Sequence, residues 1–226
     1  MRMNTPYDLA VDRQVLHDLY HPIGLSLSMI GDGKHVLELG CATGYITRLL
    51  TQEYHCRVTG VEYMPEAAEQ ARPYCAKLVI GDVESEAVLQ HLDGLYDVIL
   101  AGDVLEHLRY PDRLLTRLRS ALRPSGYWVI SVPNIAHWSA RKELLLGRFN
   151  FTARGIMDAS HLRWFTIHTL TEMLHRTGYA VMRLEAVYTV PWQDRLRLRS
   201  LARRLQRAKI APGLFGYQLV VQAKPA

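Results

Sequence analysis

The chain has 226 residues, of which 49% are hydrophobic and 22% charged, with a formal net charge of +5. These values are typical of one globular domain, and no apolar run approaches the roughly 18 residues of a membrane-spanning helix. Asp8 and Asp12 interrupt the N-terminus, which argues against a secretory signal. Cys41, Cys56 and Cys75 lack metal-ligand spacing, so we expect reduced thiols in a cytoplasmic protein.

Residues 1–30 are predicted to form an N-terminal helical cap over a ligand cleft. Apolar residues recur there at helical spacing, and Pro22 divides the segment into two halves. Tyr7, Tyr20 and His21 could face the ligand, although side chains of these types more often pack within the protein.

A strand, a tight glycine turn and a helix are predicted within residues 35–47. The apolar run Val36–Leu39 ends at a turn that contains Gly40 and Gly44, and a helical pattern follows. Because glycine lacks a Cβ, a ligand can approach such a turn closely, and the N–H groups of the helix start point towards it. Dinucleotides and S-adenosylmethionine are both bound in this way.

The spacing of the turn favours S-adenosylmethionine. A dinucleotide fingerprint needs G-x-G-x-x-G, whereas this chain has Gly40, Ala42 and Gly44. Glu38 would repel a pyrophosphate and suits a cationic amino-acid group. A strand–turn–helix unit without a ligand is the remaining alternative.

The stretch resembles motif I of the class I S-adenosylmethionine-dependent methyltransferases, E/D-x-G-x-G-x-G, with Ala42 at the middle glycine. A methyl group is tolerated there if φ is negative. The resemblance implies a Rossmann-like fold and S-adenosylmethionine as the cofactor. The cofactor-binding residues that it implies in this motif are Glu38, Gly40, Cys41, Ala42, Gly44, Tyr45 and Ile46.

The second predicted strand, Arg57–Val61, ends at Glu62. An acidic residue at a strand end, twenty-odd residues after the turn, can accept hydrogen bonds from both ribose hydroxyls. A helix-capping or surface glutamate is the alternative. Tyr63 and Met64 follow directly and could pack on an adenine face.

The third predicted strand, Lys77–Ile80, is followed by Asp82 and Val83, which resemble the family position that recognises adenine. A carboxylate can accept from the amino group of adenine, and the next backbone N–H can donate to a ring nitrogen. Asp82 could also cap a helix predicted over Glu84–Leu92.

The fourth predicted strand, Tyr96–Ala101, leads into a segment that begins at Asp103. This segment resembles the post-strand motif of O-methyltransferases of ubiquinone biosynthesis, which implies that Asp103 and Val104 contact the cofactor. Ligands of open α/β sheets bind at the carboxyl ends of such strands. His107 is therefore a candidate base near neutral pH, unless it only caps the next helix.

Strands and helices alternate along most of the chain, which predicts an α/β fold with a mostly parallel sheet and helices on both faces. The resemblance implies seven strands, an antiparallel final strand and a single domain over 1–226. The later predicted elements are the helix Pro111–Leu122, the strand Tyr127–Val132, the helix Ile167–Thr177, the strand Tyr179–Tyr188 and the strand Leu214–Ala223.

Residues 134–166 interrupt this alternation and are predicted to form a substrate-side insert. A helix over Trp138–Leu146 precedes a long polar and aromatic loop, and loops of this length are more often functional than idle. Arginine binds anions and aromatic rings stack on other rings. The predicted substrate-binding residues are Asn134, Trp138, Arg141, Arg163 and Trp164, and His137 and His161 join His107 as candidate bases.

The insert also resembles a bacterial subgroup of these enzymes that includes UbiG-like and MetW-like proteins. The matching phrases are PNIAHW, LLLGRF, GIMDASHLRWFT and GLFGYQLVV. Basic residues concentrate in 195–209, which could be a helix packed on the sheet edge or a contact with an anionic surface. The rest of the chain is near charge balance, so nucleic acid is not an expected partner.

The predicted function is methyl transfer from S-adenosylmethionine to a hydroxyl of a small molecule or a glycan precursor. A sulfonium methyl is electrophilic, so placement of the acceptor suffices and no metal is required. The N/D-P-P-Y/F signature of base-amino methyltransferases is missing after the fourth strand. N-methylation and RNA are lesser options, a nicotinamide enzyme is disfavoured, and a non-catalytic cofactor-binding or partner-activating module is the main alternative.

Overall fold

The computed structural model describes residues 13–92, 94–191 and 198–226. Its seven strands are β1 His35–Leu39, β2 Arg57–Glu62, β3 Lys77–Ile80, β4 Tyr96–Gly102, β5 Leu122–Pro133, β6 Tyr179–Tyr188 and β7 Gly216–Pro225. They form one sheet in the order β3-β2-β1-β4-β5-β7-β6. All strands run parallel except β7, which is antiparallel to both of its neighbours. The predicted sheet is therefore confirmed.

The strand order reverses between β1 and β4. The crevice at the carboxyl ends of these strands is where open α/β sheets bind ligands. The final strand begins at Gly216, two residues later than predicted, because Pro212–Phe215 forms a short helix.

Nine α-helices lie in the described ranges: α1 Pro22–Ile30, α2 Tyr45–Gln52, α3 Pro65–Ala71, α4 Glu86–Leu89, α5 Pro111–Arg117, α6 Trp138–Leu145, α7 Ile167–Arg176, α8 Arg199–Arg207 and α9 Pro212–Phe215. Two predicted helices were too long. Glu84–Leu92 contains only the short α4, and α5 passes into a 3-10 turn before Leu122 pairs with Tyr96 at the start of β5.

Apolar side chains form two cores, one on each face of the sheet. In β1, Val36 belongs to one core and Leu37 to the other, and Val98 and Ile99 of β4 divide in the same way. Successive side chains of a strand point to opposite faces, so apolar runs without polar alternation supply both cores. The carboxyl edge of the sheet is thereby held between two packed layers.

The position predicted for the N-terminal helical cap, over the ligand cleft, is corrected for the described residues 13–30. Helix α1 lies against a face of the sheet, where Leu25 and Ile30 are buried in one core with Val129 and Val220. Apolar burial of this kind holds the helix on the sheet rather than over the carboxyl edge. Residues 1–12, which include Tyr7, lie outside the described residues.

Two further cap residues have contacts within the protein. Tyr20 lies beneath the guanidinium of Arg203, and the His21 side chain accepts a hydrogen bond from Ile23 N at the start of α1. Both contacts are structural, so a role at the ligand is not supported for either side chain.

The basic segment packs on the sheet edge. Ala202 of α8 is buried, and Arg203 and Lys209 form ion pairs with Asp18 and Glu185 at 3.7 and 3.0 Å. These contacts support the structural alternative for 199–209, whereas 192–197, with Arg195 and Arg197, lie outside the described residues. No helix in the described part of the chain is long and apolar enough to cross a membrane.

Candidate active site

The glycine turn joins β1 to α2, as predicted. Gly40 and Gly44 have φ values of 66° and 83°, in the left-handed region that glycine adopts at little cost. A Cβ at Gly44 would lie 2.7 Å from Cα of Ala71, which is backbone and cannot rotate away. The turn therefore brings two segments of backbone together more closely than a side chain would allow.

Ala42 also has a positive φ, 47°, so the negative φ at which a methyl group is tolerated without strain is not the one adopted. The turn keeps the backbone shape of a glycine at this position, at a cost of about 1 kcal/mol or more for an L-residue. The N–H of Ala42 donates to Oε2 of Glu62 at 2.8 Å. This bond helps to hold the residue in its strained conformation.

Glu62 lies at the lip of the turn, at the end of β2. Its two carboxylate oxygens accept from Ala42 N at 2.8 Å and from Met64 N at 2.9 Å. The side chain is therefore fixed while remaining partly accessible. Beside it, Tyr63 and Met64 are 70% and 41% exposed, which is uncommon for large apolar side chains and suits a planar ligand.

Glu38 differs from its predicted role. It is buried beneath the turn, and its Oε2 accepts from Thr47 Oγ1 at 2.6 Å. Burial raises the pKa of Glu38 to about 8, and the charge of Glu62 adds to this rise. Direct contact with a cationic ligand group is not supported for so enclosed a side chain.

Cys41, Tyr45 and Ile46 pack within the protein. Cys41 is buried, and a Cβ on Gly60 would lie 2.9 Å from the sulfurs of both Cys41 and Cys75. Tyr45 and Ile46 pack against the core that α2 covers. The ligand-facing part of motif I is therefore mainly backbone.

Asp82 and Val83 follow β3 and differ in their exposure. Asp82 is exposed, and its Oδ1 accepts from Glu84 N at 2.8 Å. The helix begins only after Ser85, so the predicted capping role was wrong. Val83 is buried in the core, so the carboxylate of Asp82 is the polar side chain that these two residues present.

The loop after β4 contacts the glycine turn. A Cβ on Gly40 would lie 2.8 Å from Cγ2 of Val104, so these two loops meet at the switch point. Asp103, with a φ of 55°, accepts hydrogen bonds from Ser131 and Gln218. Enclosure by the surrounding protein raises its pKa, yet its surface reaches solvent, as expected on the floor of a cleft.

Three titratable side chains meet directly beyond this loop: Glu106, His107 and His161. The rings of His107 and His161 have centroids 4.9 Å apart. Burial lowers the pKa of His107, and His161 lowers it further, so the imidazole is neutral near pH 7. Burial, followed by the charge of Asp103, raises the pKa of Glu106 well above its usual range.

The family model described as "Methyltransferase domain" matches residues 13–184, more than half of the chain. The chain belongs to this methyltransferase family. The family and the fold imply S-adenosylmethionine as the cofactor. The glycine turn, the fixed Glu62 carboxylate and the exposed Tyr63 and Met64 fit the backbone approach, the ribose hydroxyls and the adenine of such a group.

Named relatives agree with this assignment. A protein of Mycolicibacterium smegmatis named "Probable S-adenosylmethionine-dependent methyltransferase" is 28% identical over 151 residues, which cover 66% of this chain and 53% of that protein. The ubiquinone biosynthesis O-methyltransferase of Pectobacterium atrosepticum is 31% identical over 106 residues, covering 45% of this chain and 44% of its own. The chain thus spans about half the length of the curated relatives that it matches.

A solved structure shares the fold. The SAM-dependent methyltransferase from Archaeoglobus fulgidus superposes with a TM-score of 0.60 at 18% identity, covering 94% of this chain and 100% of that chain. At this identity the likeness concerns the fold alone. The arrangement of the acceptor side must therefore be taken from the residues of this methyltransferase itself.

Three of the predicted acceptor-side residues have structural roles. Asn134 is fully buried, and its Nδ2 donates to Gly213 O and Gly216 O at 3.1 and 2.7 Å. His137 is buried, bonds Ser139 and Thr189 through its two ring nitrogens, and burial lowers its pKa to about 4. Trp138 Nε1 donates to Thr189 O at 3.1 Å. The structure therefore does not support substrate binding or catalysis by these three side chains.

The other predicted residues divide between two places. Arg141 Nε donates to Ala136 O within the insert. The Arg163 N–H donates to Glu106 O at 2.9 Å, which places Arg163 and Trp164 beside the histidine cluster. Trp164 forms an aromatic group with Phe149 and Phe151, with ring centroids 6.1 and 6.3 Å away.

Sequence reasoning missed Glu106 and the partners of the acids. Glu106 occupies a fully buried position within the apolar sequence VLEHL, and an acid enclosed in this way is the signal that could have identified it. Thr47, which holds Glu38, and Gln218, which holds Asp103, gave no comparable signal. Gln218 is 115 residues from its partner along the chain.

Proposed function

We propose that this methyltransferase transfers the methyl group of S-adenosylmethionine to a hydroxyl of a small molecule or of a sugar such as a glycan precursor. The close approach of Gly40 to Val104 carries the proposal, because Val104 lies three residues before His107 in the same loop. The printed name of the Pectobacterium relative, an O-methyltransferase, favours oxygen as the acceptor atom.

On the cofactor side, the chain binds and orients. The Glu62 carboxylate, held by two backbone N–H groups, accepts from the ribose hydroxyls with its remaining lone pairs. Tyr63 and Met64 pack on the adenine, and Asp82 accepts from its amino group while Val83 N–H donates to the ring. Because Glu62 is already fixed, little side-chain entropy is lost on binding.

On the acceptor side, the chain handles one proton. The cofactor supplies a methyl carbon that is electrophilic because it is bonded to a sulfonium. When the cofactor is bound, the acceptor oxygen would bond to that carbon, and the carbon–sulfur bond would break with its electron pair left on sulfur. The hydroxyl proton would pass to His107 or His161. The Nδ1 of His107 contacts the carbonyl of Ser160 at 3.3 Å, so Nε2 carries the lone pair that takes the proton.

Calorimetric titration with S-adenosylmethionine tests the cofactor assignment. We expect one site per chain and an affinity at least about tenfold lower in Glu62→Gln, because hydrogen bonds to a charged acceptor contribute about 1.5–3 kcal/mol. Glu66→Gln, an exposed acid on the next helix, is the matched control and should bind normally. Absence of binding by folded wild-type protein would contradict the proposal.

Turnover is tested by release of S-adenosylhomocysteine with a panel of hydroxyl and amino acceptors. His107→Asn or His161→Asn should lower the rate about 100-fold, the usual size of a general-base contribution, with cofactor affinity unchanged. His168→Asn, an exposed histidine of α7, serves as the control. Full activity in both cluster variants would remove the base, binding without turnover across the panel would favour the non-catalytic module, and turnover only with amines would favour N-methylation.

A further inference from the structure

The histidine cluster has the composition and orientation of a metal-binding site. One carboxylate oxygen of Glu106 and one ring nitrogen each of His107 and His161 lie within 4.8 Å of one another. Two ligand atoms bound to one zinc ion are at most about 4.4 Å apart, since each bond is about 2.0–2.2 Å long. Small side-chain rotations would therefore bring all three atoms to a common ion.

The two histidines are oriented by backbone carbonyls. Nδ1 of His107 lies 3.3 Å from Ser160 O, and Nδ1 of His161 lies 3.2 Å from Ile156 O. A carbonyl only accepts, so each Nδ1 carries the hydrogen and each Nε2 carries a lone pair. Metal-binding histidines almost always show this second contact, because it fixes the tautomer and the ring.

Glu106 provides the independent observation. The residue is 1% exposed, and its Oε2 is a buried oxygen without a hydrogen-bond partner among the described residues. A buried carboxylate oxygen without a partner is costly. Leu162 N and Arg163 N donate to the backbone carbonyl of Glu106 at 2.8 and 2.9 Å, so the loop that carries His161 is fixed against it.

A further carboxylate lies beside the cluster. It belongs to Asp158, which contacts Ser160, the residue whose carbonyl contacts Nδ1 of His107. Asp158 itself accepts from both the N–H and the hydroxyl of Ser160. A cation at this position would therefore enter a field that favours it.

We propose that Glu106, His107 and His161 bind a divalent first-row transition-metal ion. Two imidazoles and one carboxylate suit zinc and its neighbours, whereas magnesium and calcium prefer all-oxygen sites. This proposal differs from the expectation that no metal is required. Where the proposed function holds, a cation held by these three residues would lower the pKa of a hydroxyl group bound beside it. The hydroxyl proton would then pass to solvent, because the cation would occupy the ring lone pairs of His107 and His161.

The test is calorimetric titration of untagged, chelator-treated full-length protein with Zn²⁺ alone. Wild type should bind one ion per chain, and Glu106→Gln and His161→Asn should each bind at least about tenfold more weakly. Mg²⁺ should bind at least about tenfold more weakly than Zn²⁺. His168→Asn, the exposed histidine of α7, should match wild type, and circular dichroism checks that every variant is folded.

A Co²⁺ spectrum of the wild type needs no variant. Visible bands stronger than those of aqueous Co²⁺, lost on addition of Zn²⁺, would support a nitrogen and oxygen site. Wild type that takes up no more Zn²⁺ than folded Glu106→Gln, or that leaves the Co²⁺ spectrum unchanged, would overturn the proposal. Neither readout requires S-adenosylmethionine, so failure of the metal site and failure of the proposed methyl transfer are separate results.

Discussion

The proposed cofactor end and the proposed acceptor end of the cleft are built from different parts of the chain. At the cofactor end, five consecutive residues, 40–44, form a turn whose shape is set by φ angles, and Glu62 is attached to it by backbone hydrogen bonds. At the acceptor end, His107 meets a loop 53 residues away along the chain, and the functional groups are side chains.

The two ends of the cleft should therefore respond differently to substitution. A backbone-built site changes when a single Cβ is added, because backbone atoms cannot move aside cheaply. A site built from side chains can lose its activity through one substitution, while the packing around it stays unchanged. The acceptor end can therefore differ between relatives that share the fold, whereas the glycine turn is tied to the sheet.

Of the substitutions that test this comparison, Gly44→Ala should have the largest effect on stability. The new Cβ would lie 2.7 Å from Cα of Ala71 at a positive φ, so we expect a loss of about 2–4 kcal/mol in the free energy of unfolding. Gly33→Ala is the matched control, because Gly33 also has a positive φ but no atom of the described residues lies within 4 Å of a Cβ placed there. Urea unfolding measures both, and equal losses would show that close packing at Gly44 is unimportant.

Asn134→Ala tests whether the first residue of the insert is structural. The amide donates to Gly213 O and Gly216 O and accepts from Ala136 N, so its removal should cost about 2–4 kcal/mol of unfolding free energy. Asn150→Ala, at an exposed position of the same insert, should leave stability within about 0.5 kcal/mol of wild type. An unchanged stability with a raised KM for the acceptor would restore the substrate-binding role.

Glu38→Gln tests how the burial of an acid beneath the glycine turn affects the pH dependence of stability. Burial raises the pKa of Glu38 from 4.5 to about 8, so the folded protein binds more protons than the unfolded chain between these values. Wild-type stability should therefore fall with rising pH in this window, by at most about 1.4 kcal/mol per pH unit, relative to the variant. Unfolding in urea at pH 5, 6, 7 and 8 measures the difference, and parallel curves would contradict the burial of the acid.

Ala42→Gly should have the smallest effect. Ala42 has a φ of 47°, so glycine should raise the unfolding free energy by up to about 1 kcal/mol. Ala76→Gly provides the opposite control, since Ala76 is exposed and is not among the residues with positive φ, and it should lose stability slightly. Destabilisation by both substitutions would mean that the strain at Ala42 is already relieved by its bond to Glu62.

Sequence patterns predicted the elements that depend on neighbouring residues. The strands Lys77–Ile80 and Tyr179–Tyr188 have the predicted bounds, and the helix predicted from Ile167 begins there, with a capping box at Thr166. These features rest on hydrophobic period and on local hydrogen bonds. Errors occurred where a helix shortened, as at Glu84–Leu92, because tertiary packing overrode a favourable local pattern.

Side-chain roles were harder to predict than elements. His137 and Trp138 look like ligand-binding residues in the sequence, yet both bond Thr189, which is 52 and 51 residues away. Glu38 lies in a motif that suggests ligand contact, but Thr47 and the overlying turn enclose it. A residue's type and spacing do not reveal which distant group will form a hydrogen bond with it.

The amino-acid order alone determined the α/β fold, the family and the place of the glycine turn, because these follow from short-range periodicity and from consecutive residues. Only the folded chain decided which polar groups remained available for chemistry. Asn134 and His137 found partners in the protein interior, whereas Oε2 of Glu106 has none among the residues that the structure describes, since long-range packing determines which buried groups are satisfied.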